Sequence, residues 1–580
     1  MLGVPHRSPR LALAVLEQTT AQSPARRSSR SPRVHARASL WWAAPTLVAA
    51  ALAAAYVIIS PSSVDLAAHL FRAEMFKREG FAVWNNYWYS GNAVLGYSVL
   101  FPAVSATLTP QFAAALATTG TATVFTVLAR RHFGERAWVG AMLFGAATAA
   151  DLYSGRLAFA FGALPALGAI LALDSERPWL ACALAALSAL CSPVAALFAA
   201  LVAAGHALGG VIATRRAAAS DPVQQTTARR TAWRGLRVAW PGLAVIVASL
   251  APVLIVAWMF PQGGTEPFAF TTMLALLVVS AVALVLLPRD AVRLRAGVAV
   301  YALATIAIYL IPTPIGSNIA RLGTFAALPL TALVWWGRRP RALALVFLPL
   351  LYIGWGPAFR DGIAGDIDNT TTSAFYAPLL KFLHREASMP GAAPFRTEIP
   401  FTQFHWEAYA VASRFSLARG WERQLDIHDN PIFYGDALTS ATYDRWLHDN
   451  AVRFVAISDA APDYSARAEV ELIDRGLPYL RLVFRSRHWR VYQVHDATPI
   501  VQGPARLQTL GPDSLTLHVS RPGSVIVHLR FTSYWALARG SGCVAPDGNA
   551  TRLTLRRAGE VRLVTRFSLT RVGADSPRCT

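Results

Sequence analysis

The sequence predicts a polytopic α-helical membrane domain followed by a C-terminal α/β plus β-sandwich domain. Three observations carry that prediction. Apolar runs of membrane-crossing length fill Leu40–Phe359. The loops between them alternate between Arg-rich and Arg-poor, and by the positive-inside rule the Arg-rich loops stay in the cytoplasm. Beyond Phe359, charge, Asn, Asp and His return, and no further run of membrane length appears.

Composition agrees with this class. With 54% hydrophobic and only 15% charged residues, the 580-residue chain is too apolar for an ordinary soluble protein and too long for one domain. The net charge of +21 lies largely in the N-terminal tail and the Arg-rich loops, where it sets orientation and meets anionic lipid. Aromatic and basic residues do not interleave on a continuous face, so the expected partners include the lipid bilayer and no nucleic acid.

Residues 1–39 are rich in Ser, Pro, Ala and Arg (Arg7, Arg10, Arg26, Arg27, Arg30, Arg33, Arg37) and read as a disordered, basic cytoplasmic tail. The apolar run that follows is long and has no clear small-residue cleavage site, so it reads as an anchor.

Residues 40–359 then read as about eleven transmembrane helices. The first, about 40–60, runs outward to a polar loop of about fifty residues. The second, about 111–129, returns to Arg130, Arg131 and Arg136. Helices at about 137–152 and 157–173 lead to the Asp174–Pro178 loop, and about 178–191 and 193–213 form either a tight pair or one helix broken at Pro193. Arg215, Arg216, Arg229, Arg230, Arg234 and Arg237 mark the next inner loop. Helices at about 239–260, 270–288, 296–312, 323–337 and 342–358 complete the set. Outer loops are expected at Pro261–Phe268 and Pro312–Gly323, and basic inner ones near Arg289 and Arg338.

The rest divides at about residue 497. Residues 360–497 read as an extracytoplasmic α/β lobe, because residues 372–495 mix helical stretches with strand-like runs. Residues 498–580 read as an extracytoplasmic β-sandwich-like lobe, because residues 498–570 alternate with period two, as in Ser514–Val519 and Glu560–Ser568. Cys182 and Cys191 read as small core residues. Cys543 and Cys579 fall where an oxidising compartment permits a disulfide, with two free thiols the alternative.

The chemistry-bearing residues gather in loops expected outside the membrane. In Val64-Asp65-Leu66-Ala67-Ala68-His69-Leu70-Phe71-Arg72, helical spacing puts Asp65, His69, Arg72 and Phe76 on one face. Asp65 there is either a general base toward a hydroxyl, with His69 and Arg72 orienting it or holding phosphate, or a helix cap on a solvated face. Trp84-Asn85-Asn86-Tyr87-Trp88-Tyr89-Ser90-Gly91-Asn92 follows, with Trp84 and Trp88 suited to stacking on sugars or to an interfacial aromatic belt. Gly96-Tyr97-Ser98-Val99-Leu100-Phe101-Pro102 leads into the next helix.

Asp151 and Arg156 flank a turn expected at the outer surface, where they either pair or meet substrate. In Pro312-Thr313-Pro314-Ile315-Gly316-Ser317-Asn318-Ile319-Ala320-Arg321 the helix breaks and Arg321 stands against the general charge bias. Its guanidinium, with Asn318 beside it, suits a phosphate, or it snorkels to headgroups or partners Asp65. Phe404–Glu407 and Arg419–Asp426 are dense in aromatic and charged residues, and packing explains them at least as well as carbohydrate contact. No phosphate-binding glycine loop follows a strand, and no nucleophile elbow or zinc-type HExxH occurs.

The Asp-x-x-x-His after the first helix, the aromatic segment and Gly-Tyr-x-x-x-Phe-Pro together resemble bacterial GT-C-type integral membrane glycosyltransferase-like proteins. The likeness covers about forty residues of motif and, in architecture, residues 40–360. It implies a GT-C-like fold, a sugar delivered on a polyprenyl-phosphate carrier, and an envelope glycan or lipid acceptor. It further implies Asp65 as base with His69 beside it, and donor phosphate held by Arg321 and Asn318, with Arg72 and Arg156 as further candidates. The paired acids common in the superfamily are missing. Single acids, Asp151 and Glu266, would fill that place, so no metal site is indicated and metal dependence stays open. The rival class is a non-enzymatic transporter, flippase or assembly factor for lipid-linked glycans. A transporter of that kind should show two related halves with midplane charges, and the sequence has no half-repeat.

Overall fold

The computed structural model describes residues 32–220, 228–574 and 577–579. Most of the tail expected to be disordered, residues 1–31, lies outside the described residues.

Helices stand at each of the eleven expected places. They are α1 (Pro32–Ile59), then, after two short helices α2 (Val64–Glu79) and α3 (Phe101–Leu108), α4 (Pro110–Phe133), α5 (Ala137–Tyr153) and α6 (Leu157–Asp174). These are followed by α7 (Pro178–Cys191), α8 (Pro193–Ser220), α9 (Ala228–Met259), α10 (Phe270–Leu286), α11 (Val292–Leu310), α12 (Ala320–Trp335) and α13 (Pro340–Pro357). Among the described residues, eight segments are long and apolar enough to cross a membrane, one of them the α4–α5 stretch Pro110–Tyr153. α7 and α10 are shorter apolar helices. Such runs satisfy their own backbone groups without water, which is why apolar sequence of this length folds as helix.

Proline opens α4, α7, α8 and α13, where its missing N–H costs no hydrogen bond. Ser192 is extended between α7 and α8, so the two are a pair and not one kinked helix. α1, α8 and α9 run further into the basic flanks than expected, because Arg and Ala are good helix formers once an apolar stretch nucleates the helix. Small residues let the helices touch backbone to backbone. A methyl group on Gly205 of α8 would lie 2.5 Å from the Gly297 α-carbon of α11. Phe125 and Phe144 stack at 3.7 Å between α4 and α5.

Between α2 and α3 a small hairpin forms, β1 (Trp84–Asn85) with β2 (Asn92–Ala93). The following region is built on β3 (Arg396–Glu398), β4 (Ser416–Leu417), β5 (Val452–Ser458), β6 (Leu480–Arg485) and β7 (Trp489–Val494), in the order β4-β3-β5-β7-β6. This sheet is mixed, with β3 parallel to β4 and β5 and the other pairs antiparallel. Alternation along β5 sends Phe454 and Ala456 to one core with Phe382 and Trp489, and Val455 and Ile457 to another with Tyr443 and Leu447.

The last strands are β8 (Val501–Gln502), β9 (Ala505–Leu510), β10 (Ser514–Val519), β11 (Gly523–Val527), β12 (Trp535–Arg539), β13 (Gly542–Asp547), β14 (Ala550–Leu555), β15 (Gly559–Thr565) and β16 (Arg578–Cys579). They form two antiparallel sheets, β12-β15-β10-β9 and β16-β13-β14-β11-β8. The expected period-two residues Leu515, Leu517, Val525, Val527, Leu553, Val561 and Leu563 make the core between them. Cys543 is disulfide-bonded, and its register neighbour on β16 is Cys579. Cys182 and Cys191 are free thiols.

The loop between α1 and α4 binds these parts together. Trp84 and Ala93 belong to the core of the β-sandwich, while Phe71, Tyr87, Trp88 and Tyr89 belong to that of the mixed sheet. Its backbone is captured as well: Leu417 N donates to Tyr87 O at 2.8 Å, and Arg530 N to Ser90 O at 2.7 Å.

Candidate functional site

Asp65 sits in the first turn of α2, with Ser63 as N-cap. The cap reading of Asp65 finds no hydrogen bond to support it: among the described residues its carboxylate accepts none, and the Ser63 hydroxyl is itself without a partner. Two indoles from the C-terminal region hold the backbone just before it. Trp406 Nε1 donates to Ser63 O at 3.2 Å, and Trp421 Nε1 to Val64 O at 3.0 Å.

The turn after α5 closes on the same point. Gly155 has φ of +79°, and a methyl there would collide with Ser63 Oγ and lie 3.1 Å from Asp65 Cβ, so only glycine fits. Its carbonyl lies 3.2 Å from His69 Nε2. A carbonyl can only accept, so Nε2 carries the hydrogen. Burial, with Arg72 adding to it, pushes the His69 pKa down to about 3 and keeps the ring neutral. It packs edge-on to Phe101 at 5.1 Å.

Charges from distant parts of the chain surround Asp65. Burial raises its pKa to about 6, while Arg321, Arg156 and Arg72 oppose the rise and Asp361 adds to it. Asp361 lies in a π-helical turn, Ala358–Ile363, that continues α13 and packs on the α5 terminus; a methyl on Gly362 would collide with Tyr153 O. The loop 261–268 lies against the Pro312–Ile319 segment, with Glu266 N donating to Thr313 O at 3.0 Å and Ser317 Oγ to Glu266 Oε1 at 3.4 Å. Glu266 is held above the usual carboxylate range, chiefly by burial.

The three arginines near Asp65 differ in what they have left to offer. Arg72 is buried, donates to Glu422 Oε1 at 2.5 Å and stacks over Tyr97 at 4.1 Å. Arg156 stands 3.7 Å from Asp151, as the pairing alternative expected. Arg321, at the start of α12, makes no ion pair among the described residues, yet its charge acts on Asp65, His69, Tyr97, Asp151, Glu266 and Asp361. Asp65, Tyr97, Arg156, Glu266, Asn318, Arg321 and Asp361 stay partly exposed, whereas His69, Arg72 and Asp151 are shut in. The first group is therefore open to the surroundings and the second is not.

Two expected ligand contacts are corrected. Trp84 is 7% exposed, donates to Asn86 Oδ1 at 3.1 Å and meets Trp535 edge-on. Trp88 is 1% exposed, stacks on Phe71 at 4.3 Å and donates to Ala408 O. Neither ring face is open to a sugar, because the C-terminal region covers both. The Arg419–Asp426 segment is likewise structural: Arg419 is buried, makes a two-point contact with Asp426 and a third with Glu469, and lies between Phe401 and Phe433.

Asp361 was not singled out in the sequence, and the segments that hold Glu422, Trp406 and Trp421 were, but not as neighbours of Asp65. Asp361 had a signal, an acid at the mouth of the last apolar helix. Trp406 and Trp421 had none, since nothing local distinguishes an indole that packs from one that reaches another domain. Among the described residues no group of three or more His, Cys, Asp and Glu side chains stands at metal-ligating spacing. No protein-family model matches the chain, and no curated protein matches it.

Proposed function

We propose that the protein is a GT-C-like membrane glycosyltransferase that moves a sugar from a polyprenyl-phosphate carrier to an envelope glycan or lipid acceptor. The observation that carries this reading is a partly exposed carboxylate of raised pKa, Asp65, acted on by the charge of Arg321, a cation with no ion-pair partner among the described residues. Asp65 takes the proton of the acceptor hydroxyl, whose oxygen then bonds to the sugar's anomeric carbon. The bond from that carbon to the carrier phosphate breaks, and the phosphate leaves with the electron pair. Arg321, with Asn318 beside it, neutralises the charge that develops there. A base with a pKa near 6 is mostly ionised at neutral pH and still basic enough to assist.

His69, neutral and tied to Gly155, positions α2 and does not itself exchange the proton. Arg72 fixes α2 to the C-terminal region through Glu422. Asp361 and Glu266, which remain reachable, are acids for orienting the acceptor; Asp151 is shut in and holds Arg156. The Arg-rich loops would lie in the cytoplasm and the site on the opposite face, in a multi-pass cell-membrane protein with an extracytoplasmic C-terminal region.

The test is transfer of label from radiolabelled polyprenyl-phosphate sugars to a crude envelope acceptor, by wild type and Asp65→Asn in membranes at equal expression. Transfer by wild type alone supports the base assignment. Equal transfer by both removes Asp65 from the chemistry. No transfer by either, over a broad donor panel, moves the transporter or assembly reading ahead.

A further inference from the structure

The arginine-rich end of the helical bundle holds a second site, unconnected with Asp65. A cavity of about 730 Å³ opens between the end of α10, the loop to α11 and the end of α12 with the loop that follows it. Its walls are apolar, formed by Leu284, Leu286, Leu287, Val334 and Trp335, and Arg289, Arg295, Arg338 and Arg339 complete the lining. No carboxylate lines it.

The four arginines divide by what they already bind. Arg295 donates to the carbonyls of Leu284 and Leu287, which closes the end of α10 and shapes the wall. Arg289, Arg338 and Arg339 are exposed, and among the described residues none of their guanidiniums makes an ion pair. The acid nearest in sequence, Asp290, is exposed beside Arg289. Three cations with no ion-pair partner among the described residues, over an apolar wall, suit a ligand that is anionic at one end and apolar at the other.

The surface next to the cavity extends that match. Val285, itself in the lining, is 82% exposed, and from it Val282 and Val278 of α10, 49% and 53% exposed, lead away along a helix with no charged side chain. A free inorganic anion would have no use for that apolar stripe. We propose that this cavity binds the phosphate head group of an anionic phospholipid, with the acyl chains lying along the exposed valines of α10. Guanidinium groups match phosphate oxygens two at a time, and basic pockets between membrane helices recognise such head groups.

The experiment is native mass spectrometry of the full chain, released from detergent after incubation with phosphatidylglycerol or phosphatidylcholine. Wild type should retain phosphatidylglycerol about tenfold more than phosphatidylcholine, the size expected of one or two charge-assisted contacts. The Arg289→Ala/Arg338→Ala/Arg339→Ala variant should lose that preference. The Arg136→Ala/Arg177→Ala variant, which removes two exposed arginines elsewhere at the same end, should keep it. If the triple variant does not fold, Arg338→Ala and Arg339→Ala singly carry the test, each with an expected loss of about threefold. Equal retention by wild type and these variants overturns the proposal, as does an equal loss in the Arg136/Arg177 control. Displacement of the lipid by millimolar inorganic phosphate overturns the lipid assignment and leaves a site for soluble anions.

Discussion

The indole of Trp421 donates to the main-chain carbonyl of Val64 at 3.0 Å, one residue before Asp65. A residue of the C-terminal region thereby fixes the entry to the helix that carries the proposed base. The Arg72 guanidinium also lies over the Trp421 ring, 5.9 Å from carbon to ring centre. Trp421→Phe keeps the ring and removes the donor. We expect transfer to fall up to about fivefold, the net worth of one hydrogen bond of ~1 kcal/mol. A melting point close to wild type alongside that fall would mark positioning and not unfolding.

Asp65 should impose a pH dependence on transfer. Its active form is the carboxylate, and its pKa is raised to about 6, so the rate should climb with pH and level off above neutrality. Between pH 5 and pH 7 the ionised fraction grows about tenfold for such a group. A rate profile flat across that interval in wild-type membranes would remove Asp65 as the base.

Removing Arg321 should act on that same profile. Its positive charge favours the Asp65 carboxylate, so Arg321→Gln should move the midpoint upward and make the loss at pH 6 larger than the loss at pH 8. The donor KM should also rise about tenfold, as expected when one charge-assisted contact to phosphate is lost. An unchanged midpoint with an unchanged KM would leave Arg321 outside the site.

Trp88 separates packing from sugar binding. The ring is 1% exposed and stacked on Phe71, so Trp88→Ala should cost about 3–5 kcal/mol of stability. The loss should appear in the melting of the protein in detergent. A stable Trp88→Ala protein with a raised acceptor KM would restore the sugar contact.

Glu398 is buried beside Glu469 near Arg419, and neither of its oxygens has a hydrogen-bond partner. Burial, with the Glu469 charge adding to it, holds its carboxyl well above the usual range. The folded state therefore keeps the proton, and the stability this contributes is full below the unfolded value of 4.5 and lost as pH rises toward the folded one. Glu398→Gln removes the penalty. Its melting point relative to wild type should rise steadily from about pH 5 to about pH 8, and a gap that does not change with pH would place an ionised Glu398 in the network.

The helical bundle was legible in the sequence because each apolar helix is specified by its own residues. A run such as Leu157–Asp174 satisfies its backbone internally and needs no partner to be recognised. The same holds for the period-two strands of the β-sandwich, where alternation of Leu515, Leu517 and Val519 declares the buried face. Asp65, Arg321 and Arg156 could be singled out because an ionisable group at the end of an apolar run departs from its surroundings. What only the tertiary structure decided is how such groups share partners. Glu422 takes Arg72, Asp361 joins the site from the far end of the apolar region, and Trp84 and Trp88 turn inward. Those outcomes depend on contacts between segments hundreds of residues apart. Local sequence carries the cost of burying a charge or a ring, and only the assembled fold says which neighbour meets it.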